Sequence, residues 1–384
     1  MARNSAFGMR VAIVTDWLNS FGGAERVLME LHRLFPDAPL FTSVHDSDGL
    51  PAQFSDWDVR TTFLQRIPFA RRRHRWLLPL MPLAFESLDL RGYDLVISSS
   101  SACAKGVIVD PGTTHLCYCH TPCRYIWDLY HDYVGSSARA VLAAPIAHWL
   151  RLWDRTSSDR VDRFVANSRF VADRIARHYR RPAEVIHPPV DVQRFRLHFG
   201  PANEYYLVVS RLVSYKRIDL AVKAATRMGR PLLVVGEGPE EGRLRALAGP
   251  TVQFLGWQDD GEVTRLMEGA RAVLFPGLED FGIVPVEAQA AGRPVIAYGR
   301  GGATETVTDG VTGVHFHEQT PDALVAAIER FEDERFDPVG CRRNAERFSA
   351  DAFRERIQDA IERAVAAPTL HPFPDEADAL RESA

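Results

Sequence analysis

Two glutamates with seven residues between them, Glu279 and Glu287, bracket the stretch Glu-Asp-Phe-Gly-Ile-Val-Pro-Val-Glu, and two cations, Arg211 and Lys216, stand upstream in Ser-Arg-Leu-Val-Ser-Tyr-Lys. Arginine offers a planar fork and lysine a compact charge, so the pair suits a diphosphate. An ordinary solvated basic loop is the other reading. Pro285 fits the first turn of a helix, which puts Glu287 inside that helix and Glu279 on the loop before it. Phe281, Gly282 and Ile283 would then present backbone N–H groups at the helix start. Sugar hydroxyls need acceptors and phosphates need N–H donors, and this segment offers both. Acidity that only caps the helix remains the alternative. Near the amino terminus, Gly22-Gly23 between a strand and a helix makes either a phosphate-binding turn or simply a tight turn.

Such residues need a scaffold that brings loop ends together. Short β-branched runs alternate with amphipathic helical stretches, which argues for parallel α/β architecture. Arg10–Thr15, Tyr93–Ile97, His115–Cys119 and Phe164–Ala166 read as strands, a helix is expected from about Ala24 to Leu34, and Asn167 or Ser168 caps the helix after Phe164–Ala166. At His187-Pro-Pro-Val-Asp191 the tandem prolines break the pattern. The alternation then restarts at Tyr205–Val209, Leu232–Val235, Val252–Leu255, Ala272–Phe275 and Val295–Ala297. The expected fold is α/β, with two facing, doubly wound, Rossmann-like domains and an interdomain cleft. Ligands in such sheets sit outside the carboxyl ends of the strands. The expected domains are 9–188 on the acceptor side and 195–350 on the donor side. A C-terminal helix over 351–366 would pack back towards the first domain, and 367–384 would be a disordered tail.

Composition narrows the class. The 384 residues suit two domains at ~150 residues each. With 46 basic against 50 acidic residues the net charge is −4, so nucleic acid is not an expected partner. No run of about 18 apolar residues occurs, and the apolar core Val11–Val14 is too short for a signal peptide, so the chain is expected in the cytoplasm. Five cysteines, an odd number, read as reduced thiols. Lys105, Lys216 and Lys223 are the only lysines, which makes each worth a question.

The stretch "EDFGIVPVEAQAAGRPVIA" with its Glu279-x7-Glu287, "SRLVSYKRID" upstream and the glycine pair after the first strand resembles the retaining glycosyltransferase family 4, whose two-domain arrangement is called GT-B. The likeness runs from about Arg10 to Ala366, and Cys117–Asp128 further resembles a mannosyltransferase branch. The resemblance implies that Gly22 and Gly23 contact the donor diphosphate, and that Arg211 and Lys216 neutralise it and stabilise the leaving nucleotide. It implies that Glu287 accepts from the ribose hydroxyls, that Glu279 contacts the transferred sugar, and that His120 lies beside that sugar. It also implies a front-face mechanism in which the protein mainly stabilises leaving-group charge. Asp260, in Phe254-Leu-Gly-Trp-Gln-Asp-Asp260, matches the position that binds guanine in GDP-mannose users, because a carboxylate accepts both guanine N–H donors. Asp259 is an alternative, and either could instead cap the following helix. Glu305, in Gly-Gly-Ala-Thr-Glu305, is expected to be structural or to support the site.

The expected reaction is therefore retaining transfer of a hexose, mannose from GDP-mannose, to a lipid-linked saccharide or glycolipid in cell-surface polysaccharide or glycolipid synthesis. A UDP-sugar donor, a sugar-nucleotide epimerase and a silent partner subunit are the alternatives. No cofactor or divalent metal is expected: Asp46-Ser-Asp48 and Asp56-Trp-Asp58 fit D-x-D but follow no nucleotide-binding strand, and Cys117, Cys119 and Cys123 lack a second matching pair for zinc. From Val59 through Phe85 no acidic residue occurs, while Arg71, Arg72, Arg73 and Arg75 run into Trp76 and leucines. That segment suits an anionic membrane surface and the acceptor side, giving a peripheral protein on the inner face of the cell membrane. A solvated basic face is the plain alternative.

Overall fold

The alternating pattern resolves into two parallel sheets in a computed structural model that describes residues 8–128, 130, 138–197 and 203–366. The expected tail, 367–384, and the first seven residues lie outside the described residues. The first sheet holds β1 (Val11–Thr15), β2 (Leu40–Thr42), β3 (Val59–Thr61), β4 (Leu95–Ser100), β5 (Thr114–Cys119), β6 (Arg163–Ala166) and β7 (Ala183–Val185), in the order β3-β2-β1-β4-β5-β6-β7. The second holds β8 (Tyr206–Val209), β9 (Leu232–Val235), β10 (Val252–Gly256), β11 (Ala272–Phe275), β12 (Val295–Tyr298) and β13 (Gly313–Phe316), in the order β10-β9-β8-β11-β12-β13.

Central strands such as β1, β4 and β11 are buried along their whole length, because helices cover both faces of a parallel sheet. Successive residues serve opposite cores: in β8, Leu207 joins one apolar cluster while Tyr206 and Val208 join the other. Each sheet reverses its strand order once, between β1 and β4 and between β8 and β11. These are the switch points where α/β sheets open a binding crevice at their carboxyl edge.

The chain divides into two compact units. One takes residues up to Ala166, Arg174–Glu184 and Arg356 onward; the other takes Asn167–Asp173 and Val185–Glu355. The segment His187–Asp191, where the tandem prolines break the pattern, is integrated into the second unit. The Val190 N–H donates to the Phe348 carbonyl at 2.9 Å, and Val190, Val192 and Phe195 are core residues there. The helix Ala350–Ala366 continues into the first unit, where Arg363 pairs with Glu184 at 2.7 Å.

Lys105 is wholly interior to the first unit. Its Nζ lies 2.8 Å from the Asp154 carboxylate and donates to the Asp154 carbonyl and Ser157 Oγ, each at 2.9 Å. Trp153 and Tyr179 present ring faces to the ammonium at 5.3 and 4.9 Å. Burial alone would lower its pKa, but the Asp154 carboxylate outweighs burial and leaves it raised. Every donor is used, so Lys105 holds the helix Ala138–Ser157 to the sheet rather than offering a charge to a ligand.

Candidate functional site

In the second unit the chemistry-bearing residues all follow carboxyl ends of parallel strands. Arg211 stands two residues after β8. Its backbone neighbourhood is clamped, because the Leu212 N–H donates to the Glu237 carbonyl at 2.9 Å and the Glu240 N–H to the Leu212 carbonyl at 3.0 Å. Its side chain is exposed and makes no hydrogen bond or ion pair among the described residues. Lys216 closes the short turn Ser214–Lys216 and forms an ion pair with Glu279, which lies on the loop after β11. The pair therefore straddles the switch point between β8 and β11.

The helix Ile283–Ala290 starts as Pro285 suggested, with Gly282 before it at φ +90°. That left-handed conformation strains any residue with a Cβ, so the glycine is a geometric need. Among the described residues, the N–H groups of Phe281, Gly282 and Ile283 donate no hydrogen bond, as the first N–H groups of a helix commonly do not. The Phe281 side chain contributes differently: it is buried, packed between His187 and Phe348 with ring centroids 5.5 Å from each. The glycine pair Gly301-Gly302 fits this loop from the other side. The Gly302 N–H donates to the Glu279 carbonyl at 2.9 Å, and a Cβ on Gly302 would lie 2.2 Å from the Phe281 Cα. No side chain fits there without moving the loop that carries Glu279.

The two adjacent aspartates separate cleanly. Asp259 is the helix cap, its side chain accepting from the Glu262 N–H at 2.9 Å. Asp260 lies in the first turn with its side chain 74% exposed, and its Oδ2 is 3.2 Å from Arg194 Nη1. Glu287 is buried, 3.1 Å from Arg194 Nη2. Arg194 was not legible in the sequence, because no motif surrounds it and only its contacts with two carboxylates mark it. Glu305 supports the region structurally. It accepts from the Arg169 N–H at 2.9 Å, the Phe170 N–H at 3.3 Å and His187 Nε2 at 3.0 Å. Burial works against its charge, but these bonds leave the carboxyl below its ordinary value.

In the first unit, His120 directly follows β5, and its Nε2 is 2.8 Å from Ser99 Oγ. Asp16, after β1, accepts from the N–H groups of Ser101, Ala102, Cys103 and Ala104 at 2.5, 2.9, 2.6 and 2.7 Å, which ties the ends of β1 and β4 together. Gly22 caps the helix Gly23–Leu34 in an extended conformation, φ −163°, which any residue can adopt. The Glu25 side chain lies against this turn, its Oε2 3.4 Å from where a Cβ on Gly22 would stand. Burial pushes that carboxyl from 4.5 up to about 7, against the backbone bonds that lower it.

Glu25 therefore carries a pH signature. Its folded value exceeds its ordinary one, so its contribution to stability is complete below about pH 4.5 and is lost as pH rises through about 7. The loss is at most about 3 kcal/mol at 1.36 kcal/mol per unit. Between pH 5 and 7.5 the melting temperature should fall more steeply for the wild type than for Glu25→Gln. Parallel slopes would contradict this assignment.

All five cysteines are buried free thiols, and burial pushes those of Cys103, Cys119 and Cys123 up, away from the thiolate a metal needs. Among the described residues no group of three or more His, Cys, Asp or Glu is placed to hold a metal ion. No helix among them is long and apolar enough to cross a membrane. Arg71, Arg72, Arg73 and Arg75 are exposed, on the short helix Ala70–Arg73 and the turn after it, and Trp76 is 69% exposed.

Residues 190–352 match the family described as "Glycosyl transferases group 1", and residues 21–194 match "Glycosyltransferase Family 4". A D-inositol 3-phosphate glycosyltransferase of Mycolicibacterium gilvum is 32% identical over 195 residues, 44% of this chain and 44% of that protein. The chain thus spans less than half the length of the curated relatives it matches. Among solved structures, sucrose-phosphate synthase from Thermosynechococcus elongatus shares the fold with TM-score 0.69 at 20% identity, covering 93% of this chain and 99% of that one. Anabaena Alr3699/HepE, solved in complex with UDP-glucose, shares it with TM-score 0.65 at 17% identity, covering 92% and 99%. The two family matches run consecutively along the chain over the two sheets just described, and the chain belongs to glycosyltransferase family 4, with the GT-B fold.

Proposed function

We propose that this chain is a retaining glycosyltransferase that moves a hexose, mannose from GDP-mannose, to a lipid-linked saccharide or glycolipid. The observation that carries the reading is the Lys216–Glu279 pair at the β8/β11 switch point, beside the N–H groups of Phe281–Ile283 and the Arg211 side chain, which have no partner among the described residues. Two cations and an N–H array suit a diphosphate whose negative charge grows as the glycosidic bond breaks, and fixed charge aimed at a developing anion is the main electrostatic source of rate. Glu279 serves the transferred sugar, Glu287 the ribose and Asp260 the base. Asp259 is occupied as a helix cap, which leaves Asp260 as the exposed carboxylate for guanine. His120 and Gly22-Gly23 belong to the acceptor-side unit. No divalent metal takes part, since the cations are the protein's own.

A UDP-sugar donor is the second reading, favoured by the HepE complex with UDP-glucose. Labelled GDP-mannose and UDP-glucose, each incubated with the protein, a lipid extract and excess EDTA, separate these possibilities. Mannose appearing in the lipid phase only from GDP-mannose is the expected result. Glucose transfer instead would overturn the mannose assignment, a changed free nucleotide sugar would indicate an epimerase, and no turnover with either would indicate a silent subunit.

The exposed arginines beside Trp76 support peripheral binding to an anionic bilayer on the inner face of the cell membrane, with the apolar residues Phe69, Leu80 and Leu83 also exposed there. Replacing Arg71, Arg72 and Arg73 by serine should abolish sedimentation with phosphatidylglycerol vesicles and leave the melting temperature unchanged. Sedimentation equal to wild type would exclude this surface.

A further inference from the structure

Arg194 touches both carboxylates assigned to the nucleoside. It ends the short turn Val192–Arg194, whose N–H of Arg194 donates to the Asp191 side chain at 3.3 Å. Val192 and Phe195 on either side are core residues, so the turn is anchored, and the guanidinium lies 4.6 Å from the centroid of the Phe195 ring. From there Nη2 reaches Glu287 Oε1 at 3.1 Å and Nη1 reaches Asp260 Oδ2 at 3.2 Å. The two carboxylates sit on different helices, Ile283–Ala290 and Asp260–Gly269, so the guanidinium braces one against the other. Nε is buried and has no partner among the described residues.

The two contacts differ in weight. The Asp260 side chain is 74% exposed, and a pair with an exposed partner is worth little. Glu287 is 6% exposed, and a carboxylate so withdrawn from water is strongly dependent on its cation and on the bonds that fix it. A planar fork sets the orientation of a carboxylate as well as its charge, which a lysine ammonium does not.

Resting on the nucleotide reading above, we propose that Arg194 is a positioning residue for the donor's ribose: it holds the Glu287 carboxylate in the orientation that accepts from the ribose hydroxyls, without itself touching the nucleotide. Discrimination between ribo- and 2′-deoxyribonucleotides then depends on Arg194. A purely structural role would lower the melting temperature and weaken all nucleotides alike.

Titration calorimetry with GDP, 2′-deoxy-GDP, UDP and 2′-deoxy-UDP tests this on the full chain. For the wild type, the better-bound nucleotide should bind about tenfold more tightly than its 2′-deoxy form, the scale of one hydrogen bond to a charged group. Glu287→Gln and Arg194→Met should each bring that ratio within about twofold of one, and Arg194→Lys should recover it only in part. Arg194→Lys keeps the charge, so it carries the test if Arg194→Met does not fold. A wild-type ratio in whichever Arg194 variant folds, with the ratio lost in Glu287→Gln, would overturn the role of Arg194 alone. A wild-type ratio near one would overturn ribose reading by Glu287 and leave nucleotide binding intact. No binding of any nucleotide by the wild type would overturn the donor-site reading itself.

Discussion

Replacing Lys216 by methionine is expected to lower turnover by about 10²–10³, the loss seen when one group stabilising developing charge is removed. The ammonium sits between β8 and β11, paired with Glu279 and 5.4 Å from the Tyr215 ring centroid. Methionine keeps most of the stem's length and apolar contact while deleting the charge. The backbone there is set by the turn Ser214–Lys216, whose Lys216 N–H donates to the Val213 carbonyl at 3.1 Å, so the loop itself should stay in place. The melting temperature should therefore change little while kcat falls. Lys216→Arg should not rescue fully, because a fork replaces a point charge in a loop shaped for the latter. A kcat within threefold of wild type for Lys216→Met would show that Lys216 is a structural partner of Glu279 and nothing more.

The largest effect on stability is expected at Lys105, which is fully buried. Lys105→Met leaves the Asp154 carboxylate in the interior without its cation, and breaking a buried pair in this way costs about 3–5 kcal/mol. Asp154 has other duties: it accepts from Trp127 Nε1 at 2.7 Å and from the Tyr179 hydroxyl at 3.0 Å. Removing Asp154 as well would strand those donors, so the informative partner change is Asp154→Asn, which drops the charge and keeps an acceptor. Lys105→Met/Asp154→Asn should recover a substantial part of the loss. Unfolding in urea followed by tryptophan fluorescence reports on the right unit, since of the seven tryptophans only Trp257 belongs to the second. A cost below about 1 kcal/mol for Lys105→Met would mean that Asp154 finds compensation elsewhere.

The two lysines also show what was legible in the chain and what was not. Lys216 announced itself because it follows a strand and shares a motif with Arg211. Lys105 looked equally rare, yet it is structural, and only its burial beside Asp154 reveals that. The long apolar strands, β1, β4, β8 and β11, were readable within a few residues because both of their faces are covered. Three-residue β2, β3 and β7 were not read, and neither was β13. β3 and β7 carry exposed or half-buried residues, so they lack the apolar run that signals a central strand.

Site residues divide in the same way. Glu279, Glu287 and the glycine before Ile283 stood out because acceptors and N–H donors at that spacing around a helix start suit a sugar nucleotide. Asp259 and Asp260 could not be told apart, since adjacent aspartates are equivalent until the phase of the helix decides which one caps it. Arg194 and Glu25 escaped notice because their significance depends on burial and on partners far away in sequence. The tandem prolines marked a real break in the alternation, but Val190 lies in the core of the second unit, because an extended proline segment can pack as well as span.

The claim on which the rest depends is that the second unit is a nucleotide-sugar donor site that needs no metal. A melting-temperature panel with GDP, UDP, ADP and dTDP, each in excess EDTA, tests it without requiring the acceptor, because a ligand that binds only the folded protein raises the transition by mass action. Stabilisation by GDP above the other three is the expected result, with Lys216→Met and Arg211→Met each diminishing it. Stabilisation by UDP in its place would keep the site and move the donor class. A flat response to all four nucleotides would contradict the donor site itself.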